Sequence, residues 1–263
     1  MLRNTKDLEN YSIKAADGEI GHVKDFFFDD DAWVIRYLVV DTGSWFESRK
    51  VLISPISIDP SNRADGTLLV SLTKEQVKNS PSVDTDQPVS RQHEEQTLGY
   101  YGYANYWGGA GTWDGGMYPF AMVPGYAGVG GDRIDDEQDM ETHLRAERDR
   151  NRNDDPHLRS SNEVIGYRLH ATDGEIGHVA GYLVDEQTWA IHYLVVDTSN
   201  WWMGHKVLVA PRWITGVHWS DRTVTVDLSR EAVKTAPLYE TDTAWSRQSD
   251  TALYGHYGRA GYW

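Results

Sequence analysis

Asp17-Gly18-Glu19-Ile20-Gly21-His22-Val23 returns 156 residues later (173 − 17 = 156) as Asp173-Gly174-Glu175-Ile176-Gly177-His178-Val179. The offset then holds without a gap through Trp33/Trp189, Tyr37-Leu38-Val39-Val40-Asp41-Thr42/Tyr193-Leu194-Val195-Val196-Asp197-Thr198, Lys50-Val51-Leu52/Lys206-Val207-Leu208 and Tyr106-Trp107/Tyr262-Trp263. About 45 of the 107 aligned positions are identical, which marks a tandem duplication. The chain must therefore fold as two like units. Each unit is also a control for the other, because a residue with a catalytic role in one copy has to account for its absence from the second.

Composition narrows the function classes. A formal charge of −15 repels a phosphate backbone and excludes nucleic acid as a direct partner. The absence of cysteine removes disulfides, thiol nucleophiles and thiolate metal sites together. No run approaches the roughly 18 apolar residues of a membrane span, so no transmembrane segment is expected. Met1-Leu2-Arg3-Asn4-Thr5-Lys6-Asp7 lacks the apolar core of a signal peptide, and a cytoplasmic protein is the expectation.

Within each copy the first 80 or so residues read as β-structure. Trp33, Ile35, Tyr37 and Val39 alternate with Val34, Arg36, Leu38 and Val40, the period of a strand. Asp17-Gly18 and Asp173-Gly174 suit a tight hairpin turn with positive φ, Asp17 bonding its own backbone. Gly21 and Gly177 fall where the alternation slips, which predicts a bulge or a close backbone approach. Further strands are expected over 50–54 and 67–72, with counterparts at 206–210 and 223–228. Thr73-Lys74-Glu75-Gln76 has the spacing of a capping box that opens a short helix ended by Pro81; in the second copy Ser229 can cap, but Ala232 has lost the reciprocal side chain.

Beyond Ser82 the polar, then Gly/aromatic composition is one that builds no core of its own, and 132–155 reads as a charged linker or solvated helix. The expected organisation is a first barrel over 1–81, an aromatic tail and linker over 82–156, a second barrel over 157–237 and a C-terminal aromatic tail over 238–263.

The run Ala15-Ala16-Asp17-Gly18-Glu19-Ile20-Gly21-His22-Val23, followed by Trp33 to Thr42 and by Lys50-Val51-Leu52-Ile53-Ser54-Pro55, resembles the PRC-barrel domain, and the second copy resembles it equally. That family includes the cytoplasmic domain of the photosynthetic reaction-centre H subunit, the C-terminal domain of a ribosome-maturation factor and stand-alone bacterial proteins. The resemblance implies a mainly β fold, two tandem small PRC-type β-barrels each closed by a short helix, used as a protein-interaction or regulatory module. It carries over no catalytic residue. The rival readings are a structural, stress-associated protein that assembles with itself, a reaction-centre-related accessory protein, and a hydrolytic or metal-dependent enzyme.

Each candidate constellation has a plainer structural reading. The Asp17/Glu19 and Asp173/Glu175 carboxylates belong to a turn and a strand start rather than to an acid/base pair. His170, His192 and His205 replace Lys14, Arg36 and Arg49 of the first copy, which suggests exposed, basic-tolerant positions. His22 and His178 agree between the copies but lack a partner at ligand spacing, and a structural hydrogen bond from each is expected. The glycines of 108–131 neither follow a strand nor open a helix as phosphate cradles do. No catalytic residue, metal or cofactor is therefore expected.

The aromatic residues are the candidate interaction set. Trp45, Phe46, Trp201 and Trp202 follow the long strand in a polar loop, either as a lid over one barrel end or as a contact with a protein partner or between the barrels. Tyr101, Tyr106 and Trp107 in one tail and Tyr257, Tyr262 and Trp263 in the other suit anchors, in cis or in trans. Docking of Tyr257, Tyr262 and Trp263 on the second barrel is the expectation.

Overall fold

The computed structural model describes residues 1–43, 49–64, 66–81, 89, 91–103, 158–198, 205–241 and 245–261. The first repeat contains β1 (Leu2–Asn4), α1 (Thr5–Leu8), β2 (Ser12–Ala15), β3 (Gly18–Asp29), β4 (Val34–Asp41), β5 (Lys50–Ile53), β6 (Ile58–Ala64), β7 (Thr67–Val70), α2 (Lys74–Lys78) and α3 (Arg91–Tyr101). The second contains β8 (Leu158–Ser160), α4 (Ser161–Val164), β9 (Arg168–Ala171), β10 (Gly174–Asp185), β11 (Ile191–Asp197), β12 (Lys206–Val209), β13 (Ile214–His218), β14 (Thr223–Val226), α5 (Arg230–Lys234) and α6 (Arg247–His256).

The fold is mainly β, in two seven-stranded sheets. One has the strand order β5-β4-β3-β2-β7-β6, the other β12-β11-β10-β9-β14-β13. Among the described residues the β2/β7 and β9/β14 pairs are parallel and the other strand pairings are antiparallel. The outer strands β5 and β6 do not pair with each other, nor do β12 and β13, so backbone hydrogen bonds do not close either sheet. Trp33 and Trp189 take equivalent places, as the common offset requires.

The seventh strand of each sheet comes from the other repeat. β8 pairs with β3, and β1 pairs with β10. The chain accordingly divides into one compact unit of Asn10–Ser160 and a second made of Met1–Glu9 with Ser161–Trp263. Repeat boundaries at 1–81 and 157–237 describe the duplication; the packed units differ from it at both N-terminal arms.

Local chemistry explains the elements. β4 lies between β3 and β5 and is buried from Val34 to Val40, so both of its faces are apolar apart from Arg36. Arg36, only 3% exposed, is held by Asp29 at 3.0 Å. His192, in the same place, is half-buried, and burial holds its imidazole below the usual range. The expectation that these two positions are exposed is thus corrected, because β4 and β11 each lie between two other strands and the elements packed on their faces cover most of these side chains. Trp33 and Trp189 do not begin the strand: with φ of 54° and 61° they end the preceding turn, each donating its backbone N–H to Asp29 or Asp185.

The hairpin turns centre on Ala16-Asp17 and Thr172-Asp173, and Gly18 and Gly174, at φ of 142° and 135°, are the first strand residues. The Asp17 and Asp173 side chains reach across their units to accept the backbone N–H groups of Lys74 and Arg230 at 2.8 and 2.7 Å. They therefore fasten α2 and α5 at their first turns, and this replaces the bond to its own backbone that was expected of Asp17. At Gly21 and Gly177 a register slip and a close approach coincide, since an added Cβ would lie 1.9 Å from the Asp41 carbonyl oxygen or 2.2 Å from that of Asp197. Thr73 and Gln76 form the reciprocal capping box of α2, whereas α5 has only the Ser229 cap.

The segment after Pro81 is less open than its composition suggests. Leu98 on α3 is 1% exposed and joins Phe27, Tyr37, Val39, Leu52, Val89 and Leu158 in one apolar cluster. A helix with few apolar residues can dock when a preformed sheet face supplies the rest of the core. Among the described residues no helix is long and apolar enough to cross a membrane.

Candidate functional site

The site that the two sheets share is the edge that receives the foreign strand. β3 is twelve residues long and β2 only four, so β2 covers Gly18–His22 on one edge of β3 while β4 follows the other edge to Asp29. The far end of the first edge carries Phe26-Phe27-Phe28, and a bare edge there leaves backbone groups unpaired. β8 fills that stretch in the register Phe27↔Ser160, Phe28↔Arg159 and Asp29↔Leu158. β1 fills the same stretch of β10 as Leu183↔Asn4, Val184↔Arg3 and Asp185↔Leu2. Every one of these six positions maps onto its counterpart by the offset of 156.

Each arm has an apolar residue, a cation and a small polar residue. Leu158 is fully buried in the cluster with Phe27, Tyr37, Val39 and Leu52 and bridges to Val89. Arg159 pairs with Asp30 at 3.2 Å, and Ser160 donates its hydroxyl to Asp25 at 2.5 Å. In the other unit Arg3 pairs with Glu186 at 2.6 Å, the Met1 ammonium lies 3.2 Å from Asp185, and Asn4 donates to the Tyr239 hydroxyl at 3.3 Å. Asn4 also caps α1 by accepting from the Lys6 backbone N–H. Chemically, this is strand addition with an arginine clamped by a carboxylate, a pairing stronger than a neutral hydrogen bond.

Burial tunes the two carboxylate turns differently. Desolvation pushes Asp30 up to about 6, against the opposing pull of Arg159. At Asp185 burial also pushes upward, but the Thr188 and Gln187 backbone N–H groups and the Met1 ammonium outweigh it and hold the carboxyl below the usual range. Asp29, Asp30 and Asp31 bring carboxylate oxygens within 4.8 Å of one another, a spacing that fits a cation. Asp29 already accepts from the Asp31 and Ala32 N–H groups and from Arg36, and Asp30 from Arg159. The second copy has Asp185, Glu186 and Gln187 there, so the acidic triad is not part of the shared design.

Of the aromatic candidates, Trp45, Phe46, Trp201, Trp202, Tyr106, Trp107, Tyr262 and Trp263 lie outside the described residues. Tyr257 is packed on Trp213 at 4.8 Å between centroids, beside Tyr254 at 5.1 Å. Burial drives the Tyr257 phenol far above its ordinary range. Tyr101, at the equivalent position, stacks on Tyr103 at 5.8 Å, and burial pushes its phenol to about 12. Both tails thus put this tyrosine against their own unit, at the end of a helix that composition alone did not predict. Asp250 locks α6 there, accepting from the Tyr193 hydroxyl at 2.7 Å and the Trp245 indole N–H at 2.6 Å.

Among the histidines, His22 Nδ1 is 3.9 Å from Glu19 Oε1, beyond hydrogen-bond length, so the structural bond expected there is not made to that neighbour. The sequence reading missed the arms altogether. Their signal was the identity of Leu2-Arg3 with Leu158-Arg159 at the common offset, too short a run for periodicity to register as a strand.

The PRC-barrel domain family matches this chain at residues 4–77. An uncharacterized protein of Deinococcus radiodurans is similar to it, with 36% identity over 92 residues. That similarity covers 30% of this chain, which spans about a third (32%) of the relative's length. The second repeat has the same strand order and arm register as the matched one.

Proposed function

We propose that this chain, with a PRC-barrel domain at residues 4–77 and a second unit of the same topology, is a non-catalytic protein-interaction module. The observation that carries this reading is that both barrels bind an extended segment from elsewhere in the chain, in one register and with the same arginine-on-carboxylate clamp. A surface that works by strand addition and a charged clamp recognises polypeptide. Those surfaces hold the chain's own arms; the outside partner is another protein or a further copy of the chain, and the aromatic loops and tails supply contact area for it.

Leu238, 51% exposed, and Tyr100, 40% exposed, are large apolar side chains open to solvent. Replacing either with a photo-crosslinking amino acid in the native cell should give adducts of one discrete mass. Adducts at multiples of the chain's own 29.9 kDa favour the self-assembling reading, which a concentration series in light scattering would check. Absence of adducts at both positions overturns the interaction reading.

A further inference from the structure

We infer that the two repeats are each other's binding partner, so that the chain is a strand-exchanged pair fused by a linker. Each repeat gives away its first strand and receives the other's, which makes either half incomplete by itself. The inference does not depend on whether the module also takes an outside partner.

The arms are similar, so exchange has to be favoured over each arm remaining at home. Two residue pairs favour it. Asn4 meets Gly181, whose added Cβ would sit 3.4 Å from Asn4 Oδ1, while Ser160 donates to Asp25 at 2.5 Å. Position 25 and position 181 are counterparts, as are 4 and 160. An unexchanged arrangement would set the Asn4 carbonyl against the Asp25 carboxylate and leave Ser160 facing a glycine. The arms are therefore matched to opposite sockets, a polar complementarity that specifies partner more than it adds affinity. The path of the chain agrees. Asn10, at φ 68°, and Gly166, at φ 91°, are counterparts in the left-handed region, each donating its N–H to a carbonyl of the long strand that receives an arm, that of Val23 on β3 or of Val179 on β10. The first of them stands where the chain passes from one unit to the other.

The test keeps every residue of the protein. A specific protease site placed in the glycine-rich 108–131 stretch lets the linker be cut after folding. The cut chain should elute in native size exclusion with the uncut chain, both fragments in one peak. Arg3→Glu should speed dissociation of the cut halves tenfold or more. Glu186→Arg in the same chain should restore the complex, whereas Asp30→Arg should not. Recovery of the complex in the charge-swapped chain also shows that loss in the single variant is not misfolding. Separation of the unmodified halves in native buffer overturns the inference. So does rescue by Asp30→Arg, which would put the first arm on its own barrel. Halves that stay together after removal of Met1–Asn4 combined with Arg159→Glu overturn it as well.

Discussion

At the scale of single residues, the duplication separates constraint from accident. Gly21 and Gly177 persist in both copies because a backbone carbonyl occupies the space of a side chain, at 1.9 and 2.2 Å from the added Cβ. Gly21→Ala should therefore destabilise the unit by about 3 kcal/mol or more, measured by urea unfolding, since a backbone rather than a flexible side chain must yield. Asp30 is a different case. Its folded pKa of about 6 exceeds the ordinary 3.8, so the native state holds the proton more tightly than the unfolded chain. Its contribution to stability is complete below about pH 4 and is lost as pH rises to about 6. Unfolding free energies measured from pH 4 to 6 should carry this falling component in the native protein, and Asp30→Asn should remove it.

At the scale of elements, the terminal helices show how a weakly apolar segment becomes part of a core. α6 carries Asp250, which is buried and accepts from Tyr193 on β11 and from Trp245 ahead of the helix. Asp250→Ala leaves both donors without that acceptor, and the expected loss is about 2–4 kcal/mol in chemical denaturation. Truncation at Ser249 removes Leu253, Tyr254 and Tyr257 from the face around Trp213; a loss of about 1–4 kcal/mol is expected, once the recovered chain entropy is set against the lost burial. An unchanged melting temperature for the truncated chain would show that the helix adds no net stability.

At the scale of the whole molecule, the exchange decides which part of the chain a change will damage. Deleting Met1–Asn4 removes the strand that pairs with Leu183–Asp185, nearly two hundred residues away in sequence. Amide hydrogen exchange should then rise in the β10 peptide and remain as before in the β3 peptide, whose edge is covered by Leu158–Ser160. Increased exchange confined to β3 would mean that the first arm stays on its own barrel.

The repeat, the β character, the hairpin signals, the Thr73/Gln76 capping box and the special role of Gly21 and Gly177 were legible in the sequence because each rests on local periodicity or on a side chain's effect on its own backbone. The sequence also held the identical Leu-Arg of the two arms, but not their destinations. Two nearly alike strands fit either barrel by pattern alone, and only the packed structure brings Asn4 to Gly181 and Ser160 to Asp25. The same holds for Arg36, whose charge reads as surface until Asp29 is placed beside it, and for Leu98, whose polar neighbours hide its helix. Local chemistry determined what each segment becomes; the choice of partner depended on contacts between residues far apart in sequence, and that choice belongs to the tertiary structure.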